Sequence, residues 1–557
     1  MPASRTRWLL AALIIAAVAM APVLSLAWAG AQVRTDLWQH LLGSVLPRAA
    51  ANTLIVLGGV GALVAVIGTG CAWLVSAYDF PGRRLLSWAL LLPLAVPTYI
   101  VAYAYLDLLH PLGPVQGALR WLLGHDSPRD WRLPDIRHLA GCIVLLALVL
   151  YPYVYLTTRA LFATQAASLL EAGRSLGAGP VAVFFRVALP LARPAIAVGV
   201  VLVLLETLND IGASEFLGVQ TLTVAIYTTW VTRSDLAGAA QIALSMLVIV
   251  LALVALERFA RRRQRYETTL RPRPMQAQRL RGGRAVLALG LGSLPVLAGF
   301  AAPAGYLLWE AWQRLCSNGA SAQLLHALGN TLMIALLTTA AALLLAVVVC
   351  WAVRRNARSR SELLAGFANR SASLGYAIPG TVMAIGLLLP LGGLDRLLSD
   401  LLVSFGGQAR LVLMGTLWVQ VLACTLRFLA VAIGSIEAGM SRIPPSLDAA
   451  SAALGEGPLA TLGRVHLPLL RPSLAAAALL VFVDTMKELP ATLVLRPMNF
   501  ETLATWLYAE AARGTYEEGA LAALLIVLAG LVPVIALARA GGQPAAGQVP
   551  PPTRAGQ

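Results

Sequence analysis

The chain has 557 residues, of which 59% are hydrophobic and only 12% charged, with a mean hydropathy of +0.76 and a formal charge of +16. Soluble domains are nearer half apolar and a quarter charged, so these values exclude disorder, a disulfide-rich secreted module and an ordinary soluble enzyme. The basic residues punctuate long apolar runs, which fits a membrane protein with basic loops and not a nucleic-acid binder.

A bilayer core of ~30 Å needs ~20 apolar residues in a helix. Taken in chain order, such runs lie near Trp8–Ala29, Thr53–Ser76, Leu85–Leu106, Leu139–Leu156, Ala195–Ile211 and Ala237–Leu256. A second set follows near Ala285–Trp309, Thr331–Val353, Ala372–Leu391, Leu411–Ala430, Leu474–Leu489 and Gly519–Ala538. The first run is too long for a signal-peptide core and reads as a retained helix. The expected fold is therefore all-α and polytopic, with about twelve transmembrane helices in two sets of six.

Most arginines fall in loops that are cytoplasmic if both termini are inside. The densest group, Arg258 to Arg284, lies between the two sets and reads as a solvated linker touching anionic lipid. The Pro/Gly/Gln-rich tail reads as disordered. Four of five cysteines lie in apolar runs without metal or disulfide spacing. The single lysine, Lys487, is not in a phosphate-cradling GxxxxGK[ST] loop. Neither a cofactor, a metal site nor ATP hydrolysis by this chain is expected.

An internal repeat organises the chain. A shift of 278 residues brings Asn52-Thr53-Leu54 onto Asn330-Thr331-Leu332, Gly177 onto Gly455, Leu189-Pro190 onto Leu467-Pro468, and Asp210 onto Glu488. Six spans per repeat give both halves one orientation, related by an axis along the membrane normal. Between the fourth and fifth spans, Glu171-Ala172-Gly173 leads to Gly177-Ala-Gly-Pro180 and then Leu189-Pro190. Ala and Leu favour a helix up to Leu176, Gly177 and Pro180 stop it, and Val181–Ala188 makes a second short amphipathic piece. The product is a helix–turn–helix held against the membrane.

This loop resembles the EAA motif of binding-protein-dependent ABC importer permeases. The first copy matches at Glu171, Ala172, Gly177, Leu189 and Pro190. The second keeps Gly455, Leu467 and Pro468 but has Ala449 in place of Glu, with Asp448 one position earlier. Asp79-Phe-Pro-Gly-Arg-Arg84, Leu92-Pro-Leu-Ala-Val-Pro97 and the segments after Glu206 and Asp484 look like the fused two-domain permeases of ferric iron importers. The resemblance implies the ABC transmembrane type-1 fold in a bacterial inner membrane. It also implies two copies of an ABC ATPase on the two loops and a periplasmic or lipoprotein solute-binding protein outside. Thiamine, polyamine and phosphonate permeases share the scaffold. The division expected is 1–48 for the first helix and its lead, 49–257 for the first core and 258–284 for the linker. The seventh helix and its lead take 285–325, the second core 326–539 and the tail 540–557.

At ~1.5 Å per residue from Pro194, Glu206 lies about 18 Å into the membrane and Asp210 about 24 Å; Asp484 and Glu488 match them in the second half. A carboxylate facing lipid there costs at least ~2.5 kcal/mol, so these groups should face the seam between the halves, with Glu206 opposite Asp484 and Asp210 opposite Glu488. Two readings fit. The carboxylates attract a passing hard cation, for which oxygen is the preferred donor. Alternatively they cap helices, with Thr207 and Thr485 bonding back to their own helices and Lys487 neutralising an acid. Pro97 and Pro379 fall in the third span of each half, where a kink suits a gate. The rival architecture is a twelve-helix secondary carrier, which would have no need of two such loops.

Overall fold

The computed structural model describes residues 2–31, 43, 45–164, 177–262, 277–357 and 359–542. Among them, eleven helices are long and apolar enough to cross a membrane. In chain order these are Arg5–Ala29, Leu46–Ala77, Leu139–Phe162, Pro180–Asn209, Leu236–Leu256, Gly283–Ser317, Ala322–Asn356, Gly380–Ser404, Leu417–Met440, Pro458–Met486 and Glu517–Ala536. A bent pair, Arg83–Ala95 with Thr98–Leu108, makes a twelfth span when taken together. The all-α, polytopic architecture agrees with the sequence reading, and the spans are numbered below in that order, the bent pair being the third.

The third span departs from expectation. Its apolar run is not one kinked helix but two pieces meeting at 93°. Proline forces the residue before it into extended backbone. Val96 (φ −106°, ψ 118°) obeys, and a new helix starts at Thr98, so Pro97 precedes the helix instead of lying inside it. The second half repeats this. Ile378 (φ −84°, ψ 122°) and Pro379 separate the short helix Glu362–Ala372 from the ninth span, which begins at Gly380 and runs on to Ser404. Pro97 and Pro379 have nearly the same backbone angles (φ −58° and −57°).

The short piece before Leu-Pro is also different. Pro180–Ala188 is continuous with the fifth span and Pro458–His466 with the eleventh. Pro190 and Pro468 lack an N–H and their rings crowd the carbonyls four residues back. In each half a wide π-turn relieves this, with Leu189 N–H donating to Phe184 O and Leu467 N–H to Leu462 O.

Within each half the helices approach closely where residues are small. A Cβ on Gly68 would lie 2.7 Å from Val154, and one on Gly199 equally near the Val154 backbone, so the second, fourth and fifth spans meet there. The repeated Asn-Thr pair also has a structural role. Thr53 Oγ1 accepts from Leu222 N–H (2.9 Å) and Thr331 Oγ1 from Leu503 N–H (2.8 Å), while Asn52 and Asn330 donate to Gln220 O and Glu501 O. Each pair pins the segment following the fifth or eleventh span to the second or eighth.

The halves exchange helices. The first span buries Leu9, Ala12, Ala16, Ala19 and Leu26 and packs on the eighth and ninth spans and helix Glu362–Ala372, all in the second half. The seventh span contacts the third span of the first half and the twelfth span. At the crossing of the first and ninth spans, a Cβ on Gly386 would lie 2.5 Å from Pro22 O. Gly386→Leu is expected to push the first span off, costing ~1–3 kcal/mol by overpacking. Differential scanning fluorimetry of the purified protein checks this: a lowered midpoint is expected, and an unchanged one contradicts the close crossing.

Candidate functional site

Between the halves lies a cavity of about 390 Å³. Its walls come from matching elements: the ends of the fifth and eleventh spans and the segments around the breaks in the third and ninth. Glu206, Asp210, Asp484 and Glu488 all line it, as do Pro97, Thr98, Tyr376, Arg427 and Lys487. Thr207 and Thr485, expected beside the carboxylates, are buried and are not among the lining residues. Thr485 Oγ1 donates back to Val481 O at 2.7 Å as expected, but among the described residues the buried Thr207 hydroxyl makes no such bond.

The four carboxylates are not an even acidic ring. Asp484 pairs with Lys487 at 2.8 Å, one helical turn away. Glu488 pairs with Arg427 at 2.6 Å, both side chains almost wholly buried. That contact is ionic more than a well-directed hydrogen bond. Among the described residues, Glu206 and Asp210 form no ion pair. Glu206 accepts from Tyr376 O–H of the other half at 2.7 Å. Asp210 accepts from Thr98 O–H (2.6 Å), Ser214 N–H (2.8 Å) and Ser214 O–H (2.9 Å). Glu488 likewise accepts from Ala491 N–H at 2.9 Å. Asp210 and Glu488 therefore line the cavity, and each also caps the short helix that follows it. Four acids against two bases leave a surplus of two formal negative charges.

The asymmetry has a local cause. The residue after the helix-breaking proline is Thr98 in one half and Gly380 in the other. The Thr98 hydroxyl satisfies Asp210, whereas the space beside Gly380 is filled by Arg427 and Glu488. Gly380 N–H instead donates to Asn209 Oδ1 of the first half at 2.9 Å. The helix starting at Thr98 thus turns its N-terminus toward the cavity, favouring negative charge there, whereas Pro379 and Gly380 are not among the lining residues. Sequence reasoning missed Arg427, Tyr376, Thr98 and Asn209. Arg427 alone carried a signal, as an arginine within an apolar run.

The two loops lie on one face, because the fifth and eleventh spans run from them to the cavity in the same direction. Glu171 and Ala172 lie outside the described residues. Gly177 has φ +81° and Gly455 φ +78°, a left-handed turn that glycine adopts without strain. After Gly177, exposed Val181 and Phe185 with Arg186 flank a shallow groove of about 530 Å³. In the second copy, helix Pro445–Ala453 exposes Leu447, Ala449, Ala450 and Ala453, continued by Leu454. Leu189-Pro190 and Leu467-Pro468 sit on the π-turns described above.

Asp448, by contrast, turns inward. Its carboxylate takes Arg354 of the eighth span at 2.8 Å and His466 Nε2 at 2.6 Å. Arg354 also donates to Met440 O (2.8 Å) and Ile443 O (3.0 Å), tying the end of the tenth span to the same point. His466 is fully buried against Trp351, their rings 4.9 Å apart. Asp448 thus joins the loop helix to three spans. The residues 278 positions earlier, Ser76, Leu170 and Ala188, are not ionisable partners for such a clamp.

A helical membrane protein with discontinuous spans meeting at a polar cavity, and two matched loops on one face, is a permease in architecture. Residues 65–266 match the family described as binding-protein-dependent transport system inner membrane component. The chain is 26% identical over 500 residues to the Fe(3+)-transport system permease protein FbpB 2 of Haemophilus influenzae, covering 88% of this chain and 90% of that one. It is 32% identical over 191 residues to the molybdenum transport system permease protein ModB of Escherichia coli, covering 33% of this chain and 79% of ModB. A putative 2-aminoethylphosphonate transport system permease protein, PhnU of Salmonella choleraesuis, is 29% identical over 236 residues, covering 42% and 82%. The chain belongs to the binding-protein-dependent transport system inner membrane components and is a multi-pass permease subunit of an ABC importer, not itself an enzyme.

Proposed function

We propose that this permease carries ferric iron, and that the cavity between its halves is the translocation pathway. The observation that carries this reading is the cavity's charge. Four carboxylates against two cations leave oxygen donors and a negative surplus, which suits a hard cation better than molybdate or a phosphonate. FbpB 2, one relative similar over most of the chain, is a ferric permease, which supports the same cargo. Each carboxylate is held by its own partners, which suits passage more than capture, since conduction requires weak contact.

In this reading the loops around Gly177 and Gly455 face the cytoplasm, with both termini, and receive two copies of a separate ATPase. A solute-binding protein delivers the ion at the opposite face. Nucleotide-driven closure of the ATPases moves the loops, and the fifth and eleventh spans carry that movement to Glu206, Asp210, Asp484 and Glu488. The breaks at Pro97 and Pro379 serve as the points about which the cavity opens to one face or the other. The exchanged first and seventh helices hold the two cores, 49–257 and 326–539, together during this motion.

Removing one unpaired acid tests the cargo. In proteoliposomes holding the complete transporter, Glu206→Gln is expected to slow uptake of radiolabelled ferric ion about tenfold, equivalent to ~1.4 kcal/mol of lost cation stabilisation. Unchanged iron uptake, or faster uptake of molybdate, would count against a cationic pathway.

A further inference from the structure

On the face opposite the two loops, two peripheral helical segments turn a polar side chain inward and large apolar side chains outward. The helix Pro114–Leu123 follows the third span after five residues. Its polar side chains point inward. Buried Gln116 donates to Leu109 O (2.7 Å) and accepts from Leu133 N–H (2.9 Å), and buried Arg120 donates to Pro111 O (2.7 Å). Its outward residues are apolar: Trp121 is 79% exposed, and Leu122 and the preceding Leu112 are similarly bare.

The second half does the same within one helix. Near the end of the ninth span, fully buried Asp395 accepts from the backbone N–H groups of Val412, Leu413 and Met414 at 2.7–2.8 Å. Leu394, Leu397, Leu401 and Phe405 form an outward stripe at helical spacing, Leu397 being 62% and Phe405 88% exposed, flanked by a separate exposed row with Arg396 and Asp400. In both halves a buried polar side chain draws the returning chain inward while an apolar face is left outside. Water would favour the opposite arrangement, by ~1.5–3 kcal/mol for each large side chain.

We propose that Pro114–Leu123 and the last turns of Gly380–Ser404 lie in the lipid headgroup boundary, as paired anchors for the two discontinuous spans that line the cavity. Lipid is the occupant because each segment ends or directly follows a membrane span whose earlier residues, Thr98–Leu108 and Gly380–Leu388, expose nothing, so the outward apolar side chains begin only where the chain leaves the bundle. The same face carries exposed Trp28, Trp309, Trp312 and Trp418 at the ends of the first, seventh and tenth spans, where an aromatic belt marks the headgroup level. Held there, the outer ends of the third and ninth spans keep a fixed depth while the inner ends at Thr98 and Gly380 move.

The test uses the full chain with Cys316→Ser, which removes the one exposed cysteine and leaves four buried ones. Nitroxide labels go on Trp121→Cys and Leu397→Cys, both at surface positions, with Arg129→Cys in the adjoining exposed loop as the water reference. The protein is reconstituted in vesicles of phosphatidylcholine and phosphatidylglycerol. Labels at 121 and 397 are expected to collide more with oxygen than with a nickel chelate, reporting a depth of about 5–10 Å, and the label at 129 the reverse. Preferential collision with the nickel chelate at 121 or 397 would overturn the proposal. So would shielding that appears only when a soluble partner protein is added, which would make the face a protein-docking surface.

Discussion

Arg427→Met is expected to be the most damaging single substitution in the membrane core. Arg427 and Glu488 are 7% and 3% exposed and 2.6 Å apart. Removing the guanidinium leaves a carboxylate at the cavity wall without its counter-charge, and breaking a buried pair from one side costs ~3–5 kcal/mol. Folded protein recovered in detergent should fall sharply. The double variant Arg427→Met/Glu488→Gln removes both charges, and much of the loss should be regained, because a buried pair contributes far less than either partner costs alone. Thermal unfolding of the single and double variants measures the coupling directly. Equal losses in the single and double variants would mean that Arg427 acts through packing, not through Glu488.

A second large effect is expected at Gly455, this time on assembly and not on folding. Its φ of +78° is left-handed, and a β-branched side chain there faces strain of ~1–2 kcal/mol. A Cβ meets nothing within 4 Å, so Gly455→Val should insert and fold while the turn between Pro445–Ala453 and Pro458 changes shape. Copurification of the ATPase on the tagged permease should drop to a small fraction of the wild-type amount. Full ATPase recovery would mean that the second loop is not a docking element.

Much of the architecture could be read from the sequence because membrane helices and their repeat leave strong marks. The apolar runs located the spans, and the 278-residue register located the paired loops and the carboxylates at 206, 210, 484 and 488. What could not be read depends on contacts between distant segments. Leu85–Leu106 is apolar throughout, so hydropathy passes over the break that Val96 and Pro97 impose. The stripe Leu9, Ala12, Ala16 and Ala19 announces close packing, but nothing in it says that the partner is the opposite half. Arg427 stood out as a charge in an apolar run, yet Glu488 lies on another helix and could not be named as its partner. Asp448 sits one position from the motif's acid. Whether it faced outward or toward Arg354 and His466 depends on how helix Pro445–Ala453 rests on the eighth and eleventh spans. Thr98 in one half stands where Gly380 stands in the other, and only the packing shows that this decides which half answers its carboxylate with a hydroxyl and which with a guanidinium.

These features converge on one physical arrangement: matched loops on one face, each continuous with a helix that ends at a shared acidic cavity. Ion uptake into proteoliposomes tests it most directly, with the permease, an ATPase and a binding protein added singly and together. Uptake should require all three components and ATP. Uptake by this chain alone, driven by a proton gradient and indifferent to ATP, would contradict the account.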